Sequence, residues 1–360
     1  MPSGRPPRAA ATEPLPSYRD DDPSYAAFPE VLWDLSNNEI SLPPLPQVQE
    51  ILRRESERAH LYPDPRARFL VNALSTHFAV DRGSILVGPG SAGVLQQLLL
   101  TLCGPGDEVL YAAPGFDAYP LLIETSAARG IPVPLTAAGD HDLDAMRAEV
   151  TPDTRVVILC SPHNPTGKSL SPSVLGEFLV GLPPGVITII DQAYVEFDEA
   201  INPRDLELLH THGDVVLLRT FSKAYGLAGL RAGYALAPPA VAARARKTAI
   251  PFSITRGAEQ TAIASLREQD ALRQRTAHIR EQREHLFQLL SAAGLAPLPS
   301  RGNFIWIPLG PRSAYFTEES ARAGVKVREF PGQGVRVTVG SESAHRLLMS
   351  ATRGFGRASD

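Results

Sequence analysis

One lysine stands out as a residue that could do covalent chemistry. The 360-residue chain has only four lysines among its 35 Lys and Arg residues, so a lysine here is seldom a generic positive charge. An arginine keeps its proton at working pH, whereas a desolvated lysine amine can lose it and attack a carbonyl. Lys223 follows the apolar run 215–218, which predicts a buried strand. Ser222 and Arg231 could hold a phosphate beside the amine, although an exposed loop lysine would fit the same sequence.

Three further loops also follow apolar runs and carry polar groups. The small-residue turn 88–93, GPGSAG, opens a helix whose free N–H groups favour a phosphate, although such a turn can simply cap a helix. The loop 161–167, SPHNPTG, brackets Asn164 with prolines, which either fixes the amide or forms a plain tight turn. Asp191 ends the run 186–190, and Tyr194 follows three residues later. Burying that carboxylate is costly unless a cation or a hydrogen-bond donor meets it, and capping a turn is the alternative role.

The elements that position these loops alternate between strands and helices. Short strands are predicted at 85–87, 108–111, 131–135, 155–160, 186–190 and 214–218, with helical patterns between them. This alternation predicts an α/β fold with a mostly parallel sheet covered by helices on both faces. Ligands bind at the carboxyl ends of the strands in such sheets, so the four loops should converge.

The chain divides into four predicted regions. Residues 1–30 are rich in Pro, Arg and Ala and predict a disordered or draped tail. The proline-rich segment 31–44 should cross near the active site in an extended form. A large α/β domain is expected over 45–250 and a smaller α+β domain over 251–360. In the smaller domain, a helical stretch is predicted at 255–293 and strands at 303–307, 325–328 and 335–339.

Composition argues against several classes of protein. The formal net charge is -4, and like charges do not cluster into a nucleic-acid-binding patch. Cys103 and Cys160 lie far apart without partner spacing, so neither a disulfide framework nor a metal site is expected. No apolar run approaches the ~20 residues of a membrane span, and the tail lacks a signal-peptide core. A cytoplasmic location is therefore expected.

Together, the four loops offer a phosphate site, an orienting amide, a carboxylate with a phenol, and an amine. Pyridoxal 5'-phosphate would use each of them, because it carries a phosphate, a protonatable ring nitrogen, a ring hydroxyl and an aldehyde. We therefore expect a cofactor-dependent enzyme rather than a nucleotide-binding protein, since neither GxGxxG nor a GKS/GKT ending is present. A cofactor-binding regulator would need a DNA-binding appendage, and no helix-turn-helix pattern precedes the large domain.

The order of four motifs resembles the fold-type I aminotransferases of the histidinol-phosphate aminotransferase family, and within them the actinobacterial aromatic amino acid (phenylalanine) aminotransferases. The motifs are NPTG (164–167), DQAYVEF (191–197), TFSKAYGLAGLRAGY (220–234) and GVRVTVG (334–340). The resemblance covers about residues 33–345.

The resemblance implies a role for each matching residue. Lys223 would bond to the cofactor aldehyde and later move a proton between the substrate Cα and the cofactor. Asp191 would keep the ring nitrogen protonated, while Tyr194 and Asn164 would hydrogen-bond the ring oxygen. The phosphate would be held by Ser91, Ala92, Ser222 and Arg231.

The same resemblance implies how substrate and subunits meet. Phe116 would stack on the cofactor ring, and Tyr62 would reach the phosphate from a neighbouring subunit, which implies a homodimer. Arg336 would clamp the substrate carboxylate with its bidentate fork. Asn38 and Arg328 are the further candidates for binding the substrate.

The sequence departs from the family pattern at three places, and the third departure, in the N-terminal segment, leaves the substrate open. The phosphate turn continues Gly-Val rather than Asp-Glu, a phenylalanine replaces the usual stacking tyrosine, and NENPxGP becomes NEISLPP at 38–44. The predicted reaction is ping-pong transfer of an amino group between an aromatic L-amino acid and 2-oxoglutarate. One alternative is histidinol-phosphate transamination, which needs a further cationic pocket for a second phosphate. Another is a decarboxylase or an oxidase of specialised metabolism.

Overall fold

The structure, a computed structural model, describes residues 32–202 and 206–355. The tail predicted at 1–30 lies outside the described residues. The strands are β1 (Trp33–Asp34), β2 (Ile85–Pro89), β3 (Glu108–Ala113), β4 (Arg129–Pro134), β5 (Thr154–Cys160), β6 (Ile187–Asp191), β7 (Val215–Thr220), β8 (Ala232–Leu236), β9 (Phe304–Ile307), β10 (Val325–Lys326), β11 (Arg328–Phe330) and β12 (Gly334–Thr338). The helices are α1 (Pro46–Ser56), α2 (Arg68–Phe78), α3 (Gly90–Leu102), α4 (Ala118–Thr125), α5 (Leu143–Ala148), α6 (Pro172–Val180), α7 (Glu207–Thr211), α8 (Pro239–Ala245), α9 (Arg256–Arg267), α10 (Gln269–Ala292), α11 (Ser313–Arg322) and α12 (Glu342–Ala351).

A seven-stranded sheet organises the larger part of the fold. Its strand order is β2-β8-β7-β6-β5-β3-β4, and every neighbouring pair except the two that involve β8 is parallel. The sheet has a hydrophobic core on each face, as β5 shows. Its residues Val156 and Ile158 pack into one core, and Val157 and Leu159 pack into the other. Both faces are covered by helices, which explains the continuous apolar runs of these strands. The predicted α/β fold with a mostly parallel sheet is confirmed.

The antiparallel strand β8 was not predicted from the sequence. Its residues, AGYAL, contain no β-branched side chain, so the local pattern does not indicate a strand. The strand forms because it fills the space between β2 and β7 and pairs with both. All five of its residues are buried. Tertiary pairing therefore outweighs local propensity here.

The C-terminal part contains a second, three-stranded antiparallel sheet in the order β11-β12-β9. The strand predicted at 325–328 is two strands in the structure, and β10 pairs with β1 instead of joining this sheet. That pairing ties the N-terminal segment to the C-terminal part of the chain. The division into domains at about residue 250 stays a prediction.

The stretch predicted to be helical at 255–293 is helical, and in the structure it is divided into two helices. It breaks at Glu268, where ψ is 45°, into α9 and α10. The break lets the two helices follow different partners, since α9 packs on α1 and α2 while α10 packs on β9 and α12. An apolar repeat along the sequence does not reveal such a change of direction.

Candidate active site

A cavity of about 420 Å³ lies at the carboxyl ends of the parallel strands, which is within the usual range for small-molecule sites of roughly 300–1,000 Å³. It brings together ten of the thirteen residues expected from the sequence to form the site. These ten are Ser91, Ala92, Phe116, Asn164, Asp191, Tyr194, Ser222, Lys223, Arg231 and Arg336. The cavity is also lined by residues that the sequence had not singled out, namely Asn37, Glu39, Cys160, Ala193, Thr220, Ala228 and Gly229.

Lys223 reaches the cavity from the loop that follows β7. Its Nζ donates a hydrogen bond of 2.8 Å to the backbone carbonyl of Asn37. The same atom lies 5.8 Å from the centre of the Tyr194 ring. The acceptor of this hydrogen bond is therefore an uncharged carbonyl of the N-terminal segment. The amine itself lies at the wall of the cavity.

A phosphate-sized cradle forms where α3 begins. Ser91 sits in the first turn of this helix, where free N–H groups and the helix dipole favour an anion. Arg231 lies opposite, and its Nη1 donates to Ser222 Oγ over 3.2 Å. A Cβ on Gly90 would come within 2.4 Å of Arg231 Nη2, and one on Gly233 within 2.2 Å of the Ser91 nitrogen. Because neither glycine has a Cβ, the first turn of α3, the Arg231 guanidinium and the Ser222 hydroxyl can lie close together.

Asp191 ends β6 and is only 5% exposed. The Tyr119 hydroxyl donates to its Oδ2 over 2.7 Å, and the Ala193 N–H donates to its Oδ1 over 3.1 Å. Burial raises the pKa of the Asp191 carboxyl, while these two hydrogen bonds and the charge of Lys223 act in the opposite direction. Each carboxylate oxygen keeps further acceptor capacity for a cationic or N–H group in the cavity.

Tyr119 is the main polar residue of the site that the sequence analysis missed. It is fully buried on α4, and its ring meets the Phe116 ring edge-on at 5.4 Å. A tyrosine within an apolar helical pattern is interpreted as a core residue, so no local feature of the sequence marks it as part of a site. Its role as a donor appears only when α4 packs beside the end of β6.

Tyr194 is held from the N-terminal segment. Asn38, buried and in a left-handed conformation with φ 54°, donates from Nδ2 to the Tyr194 hydroxyl over 2.9 Å. Burial raises the pKa of the Tyr194 phenol, whereas Arg336 and Asn38 lower it. Thr338 and Asn303 fix Asn38 in turn. The phenol thus stays protonated and oriented at the cavity wall.

Arg336 projects from β12 into the cavity and is only 3% exposed. Its Nη1 donates to Asn164 Oδ1, and its Nη2 donates to the Ser36 carbonyl. The guanidinium carbon lies 5.7 Å from the centre of the Phe304 ring. A buried, planar cation in this position can receive a carboxylate in a bidentate geometry.

Three expected site residues do not line the cavity. Asn38 lies behind Tyr194, as described above. Arg328 forms an ion pair with Asp117, with 3.1 Å between Nη2 and Oδ2. Tyr62 is 83% exposed and stacks at a tilt against Phe252 at 5.2 Å, so any part it plays in a site must involve another molecule.

The residues present fit pyridoxal 5'-phosphate. The cradle at the start of α3 matches its phosphate, and the buried Asp191 carboxylate matches a protonated ring nitrogen. The Tyr194 phenol and the Asn164 amide match the ring oxygen, and the Lys223 amine matches the aldehyde. Phe116 offers a ring for stacking.

The described ranges 32–202 and 206–355 contain no group of three or more His, Cys, Asp and Glu side chains placed to hold a metal ion. None of the helices in these ranges is long and apolar enough to cross a membrane.

Comparison with known proteins assigns the class to which this fold and site belong. The sequence pattern of the family described as "Aminotransferase class I and II" matches residues 30–352. The chain belongs to this family and is a pyridoxal-phosphate-dependent aminotransferase of fold type I, acting on amino acids and oxo acids. The predicted family, enzyme class and cofactor are confirmed.

Individual relatives resemble the chain over most of its length. It is 42% identical to the "Aromatic amino acid aminotransferase" of Streptomyces coelicolor over 347 residues, which cover 96% of each protein. It is also 42% identical to the "Aromatic amino acid aminotransferase" of Nocardia farcinica over 88% of this chain and 89% of that one. Among solved structures, the histidinol-phosphate aminotransferase of Sinorhizobium meliloti in complex with pyridoxal-5'-phosphate aligns with a TM-score of 0.84 at 28% identity, covering 91% of this chain and 92% of that one.

Proposed function

We propose that this aminotransferase moves an amino group between an aromatic L-amino acid and 2-oxoglutarate by a ping-pong mechanism. The observation that carries the proposal is the identity of 42% over 96% of each chain with a protein named for aromatic amino acids.

Lys223 is the proposed catalytic residue. When bound, pyridoxal phosphate supplies an aldehyde that takes up the amino group and a ring that withdraws electrons from the substrate Cα. The Lys223 amine would hold the cofactor covalently between turnovers and move a proton to and from the substrate Cα. Its position at the cavity wall, within hydrogen-bond reach of the Asn37 carbonyl, supports both tasks.

Asp191, Tyr194 and Asn164 would orient the cofactor ring. An ionised Asp191 would hold the proton of the ring nitrogen, which its two hydrogen bonds from Tyr119 and Ala193 support. Tyr194 and Asn164 would hydrogen-bond the ring oxygen from the neighbouring strand ends. Phe116 would stack on the ring.

Different charged and polar groups of the cavity would hold the phosphate and the substrate. Ser91, Ala92, Ser222 and Arg231 would bind the phosphate through helix N–H groups, hydroxyls and a guanidinium. Arg336 would bind the substrate carboxylate, and Asn38 would act on the substrate side through Tyr194.

We further propose a homodimer in which Tyr62 reaches the phosphate of the neighbouring subunit. The exposure of Leu61, its neighbour in the chain, and of Phe252, whose ring it contacts, supports this. Light scattering of the purified holoenzyme tests the oligomeric state. The cytoplasmic location expected from the sequence belongs to the same proposal, and fractionation of cells that express the protein tests it.

Histidinol-phosphate transamination is less well supported. The likeness to the Sinorhizobium meliloti enzyme supports it at 28% identity, but a substrate with its own phosphate needs a further cation. Arg328, the residue that could supply one, is engaged by Asp117.

A panel of amino donors tests the proposed substrate. Holoenzyme is mixed with phenylalanine, tyrosine or histidinol phosphate without an acceptor, and the oxo product of a single turnover is quantified. We expect a full equivalent of product from the aromatic donors and much less from histidinol phosphate. Turnover of histidinol phosphate alone would overturn the aromatic assignment.

A further inference from the structure

An arginine on α10 is buried without lining the cavity. Arg275 is only 8% exposed. Its Nη1 donates to the Tyr225 carbonyl over 3.3 Å, and its Nη2 donates to the Pro43 carbonyl over 2.5 Å. Both partners are neutral, and in the described part of the chain no carboxylate forms an ion pair with this arginine. Because burying a cation among neutral groups is costly, stability alone does not explain an arginine at this position.

The two carbonyls belong to separate segments that meet beside the cavity. Tyr225 lies in the loop 221–231 that joins β7 to β8, the Lys223 loop. Pro43 belongs to the N-terminal segment. A proline has no N–H, and Pro43 is followed by a second proline, so this part of the segment cannot be fastened by donating to a strand or a helix. The Arg275 guanidinium instead reaches the segment from α10 and bridges it to the Lys223 loop.

Two further contacts join the N-terminal segment to the Lys223 loop. Lys223 Nζ donates to the Asn37 carbonyl over 2.8 Å. The Ile40 side chain lies against Gly226, where an added Cβ would come within 3.0 Å of Ile40 Cδ1 and 3.1 Å of Arg275 Nη1. The segment therefore follows the loop over several residues, and Arg275 holds its far end.

The segment also forms part of the cavity wall beside Arg336. Asn37 and Glu39 line the cavity, and the Ser36 carbonyl accepts a hydrogen bond from Arg336 Nη2. The phosphate cradle, in contrast, is built from the first turn of α3 and from Arg231. A displacement of the segment should therefore change the surroundings of the substrate more than those of the cofactor phosphate.

We propose that Arg275 is a positioning residue for the amino donor, because it fastens the N-terminal segment to the Lys223 loop and so keeps this wall of the cavity in place. It does not line the cavity itself and acts through the backbone of both segments. The inference rests on the proposed function, since it assigns substrate binding to the cavity that contains Lys223 and Arg336.

Amide hydrogen exchange of the holoenzyme tests whether Arg275 holds the segment. Arg275→Met removes both donors and keeps a long side chain. Hydrogen bonds from a charged donor are among the stronger ones, so their loss should speed exchange of the amides in 36–42 about tenfold or more. The strands of the large sheet should exchange as in the wild type. The matched control is Arg273→Met, which removes the same charge from α10 at a side chain that is 72% exposed and pairs with Asp270. This control should leave exchange in 36–42 unchanged.

Steady-state kinetics test the consequence for the substrate. With whichever amino donor of the panel reacts, Arg275→Met should raise KM about tenfold and change kcat less than about threefold, because a displaced wall weakens binding of the substrate and of its transition state alike. Arg275→Lys keeps the charge and can donate to one of the two carbonyls. It should fall between Arg275→Met and the wild type in both measurements.

A substitution in the segment itself should release it from the other side. Ile40→Ala loosens the contact with Gly226 without a change in charge and should produce the same two effects. If both substitutions release one segment, the effect of the double variant on KM should be smaller than the product of the single effects. Where Arg275→Met does not fold, Ile40→Ala and Arg275→Lys provide the same test.

Four outcomes would each overturn the proposal. They are unchanged exchange in 36–42, an equal gain in exchange across the large sheet, an unchanged KM, and the same effects in Arg273→Met. An equal gain across the sheet would mean that Arg275 supports the whole fold rather than one wall of the cavity.

The two proposals can fail separately. If phenylalanine and tyrosine prove not to be amino donors, the aromatic assignment fails, yet hydrogen exchange in the holoenzyme still reports on Arg275. If the aromatic donors react but Arg275→Met behaves as the wild type, only the role of Arg275 is lost.

Discussion

Removal of one buried hydroxyl should shift the pH dependence of the site. Tyr119→Phe deletes the donor that lies 2.7 Å from Asp191 Oδ2 and leaves the aromatic ring in place. The ring also keeps its edge-on contact with Phe116, so packing should change little. The substitution therefore removes the hydrogen bond to the buried carboxylate, together with the interaction of the same hydroxyl with the Cys160 side chain.

The size of the effect follows from the strength of that bond. Hydrogen bonds to charged groups contribute about 1.5–3 kcal/mol. Because the bond favours the ionised carboxylate, its loss should destabilise that form by about this amount and raise the pKa of Asp191 further. The ionised form is lost as the pH falls through this pKa. In the variant, cofactor binding should therefore weaken at a higher pH than in the wild type.

The measurement is the dissociation constant of pyridoxal phosphate and its absorbance spectrum across the neutral and acidic pH range. Tyr111→Phe is the matched control, since this neighbouring ring meets Tyr119 at 6.2 Å and also loses one hydroxyl. Superimposable pH profiles for the wild type and Tyr119→Phe would refute the reasoning. An equal shift in Tyr111→Phe would also refute it, because the effect would then be one of packing.

Four further substitutions test other parts of the site. Lys223→Ala should retain the fold and bind the cofactor without covalent attachment, and its single-turnover oxo product should fall at least about 10²-fold; normal turnover would remove this lysine from its role. Arg336→Lys should raise the KM for the amino donor about tenfold or more through loss of the bidentate fork, as steady-state kinetics would show. Gly233→Ala places a Cβ 2.2 Å from the Ser91 nitrogen and should cost about 1–3 kcal/mol of stability, together with cofactor affinity, as thermal unfolding and equilibrium dialysis would measure. Tyr62→Ala should weaken cofactor binding in the assembled protein without lowering the melting temperature, since the side chain is 83% exposed in the single chain; unchanged affinity would remove it from the phosphate site.

The parallel part of the large sheet could be predicted from local sequence. Apart from the edge strand β4, its strands are buried on both faces. They are therefore continuous apolar runs between glycine turns and helices, and the sequence alone shows this pattern. β8 could not be predicted, because AGYAL has no strand preference of its own. The break at Glu268 between α9 and α10 could not be predicted either, because the apolar repeat continues through it while the elements against which the chain packs change.

The candidate site divides in the same way. Lys223, Asp191, Asn164 and Ser91 were found because each follows a strand, and the carboxyl ends of parallel strands meet at one edge. Tyr119 was missed because it reads as a core residue until α4 is placed beside Asp191.

The sequence by itself determined which residues could do the chemistry and which sheet would gather them, since motif spacing and apolar runs are local properties of the chain. Only the tertiary structure decided how those residues are held. Asn38 supports Tyr194 across 156 residues of sequence. Asp117, which directly precedes α4, forms an ion pair with Arg328 on β11. Such contacts depend on packing between distant segments, and no local pattern encodes them.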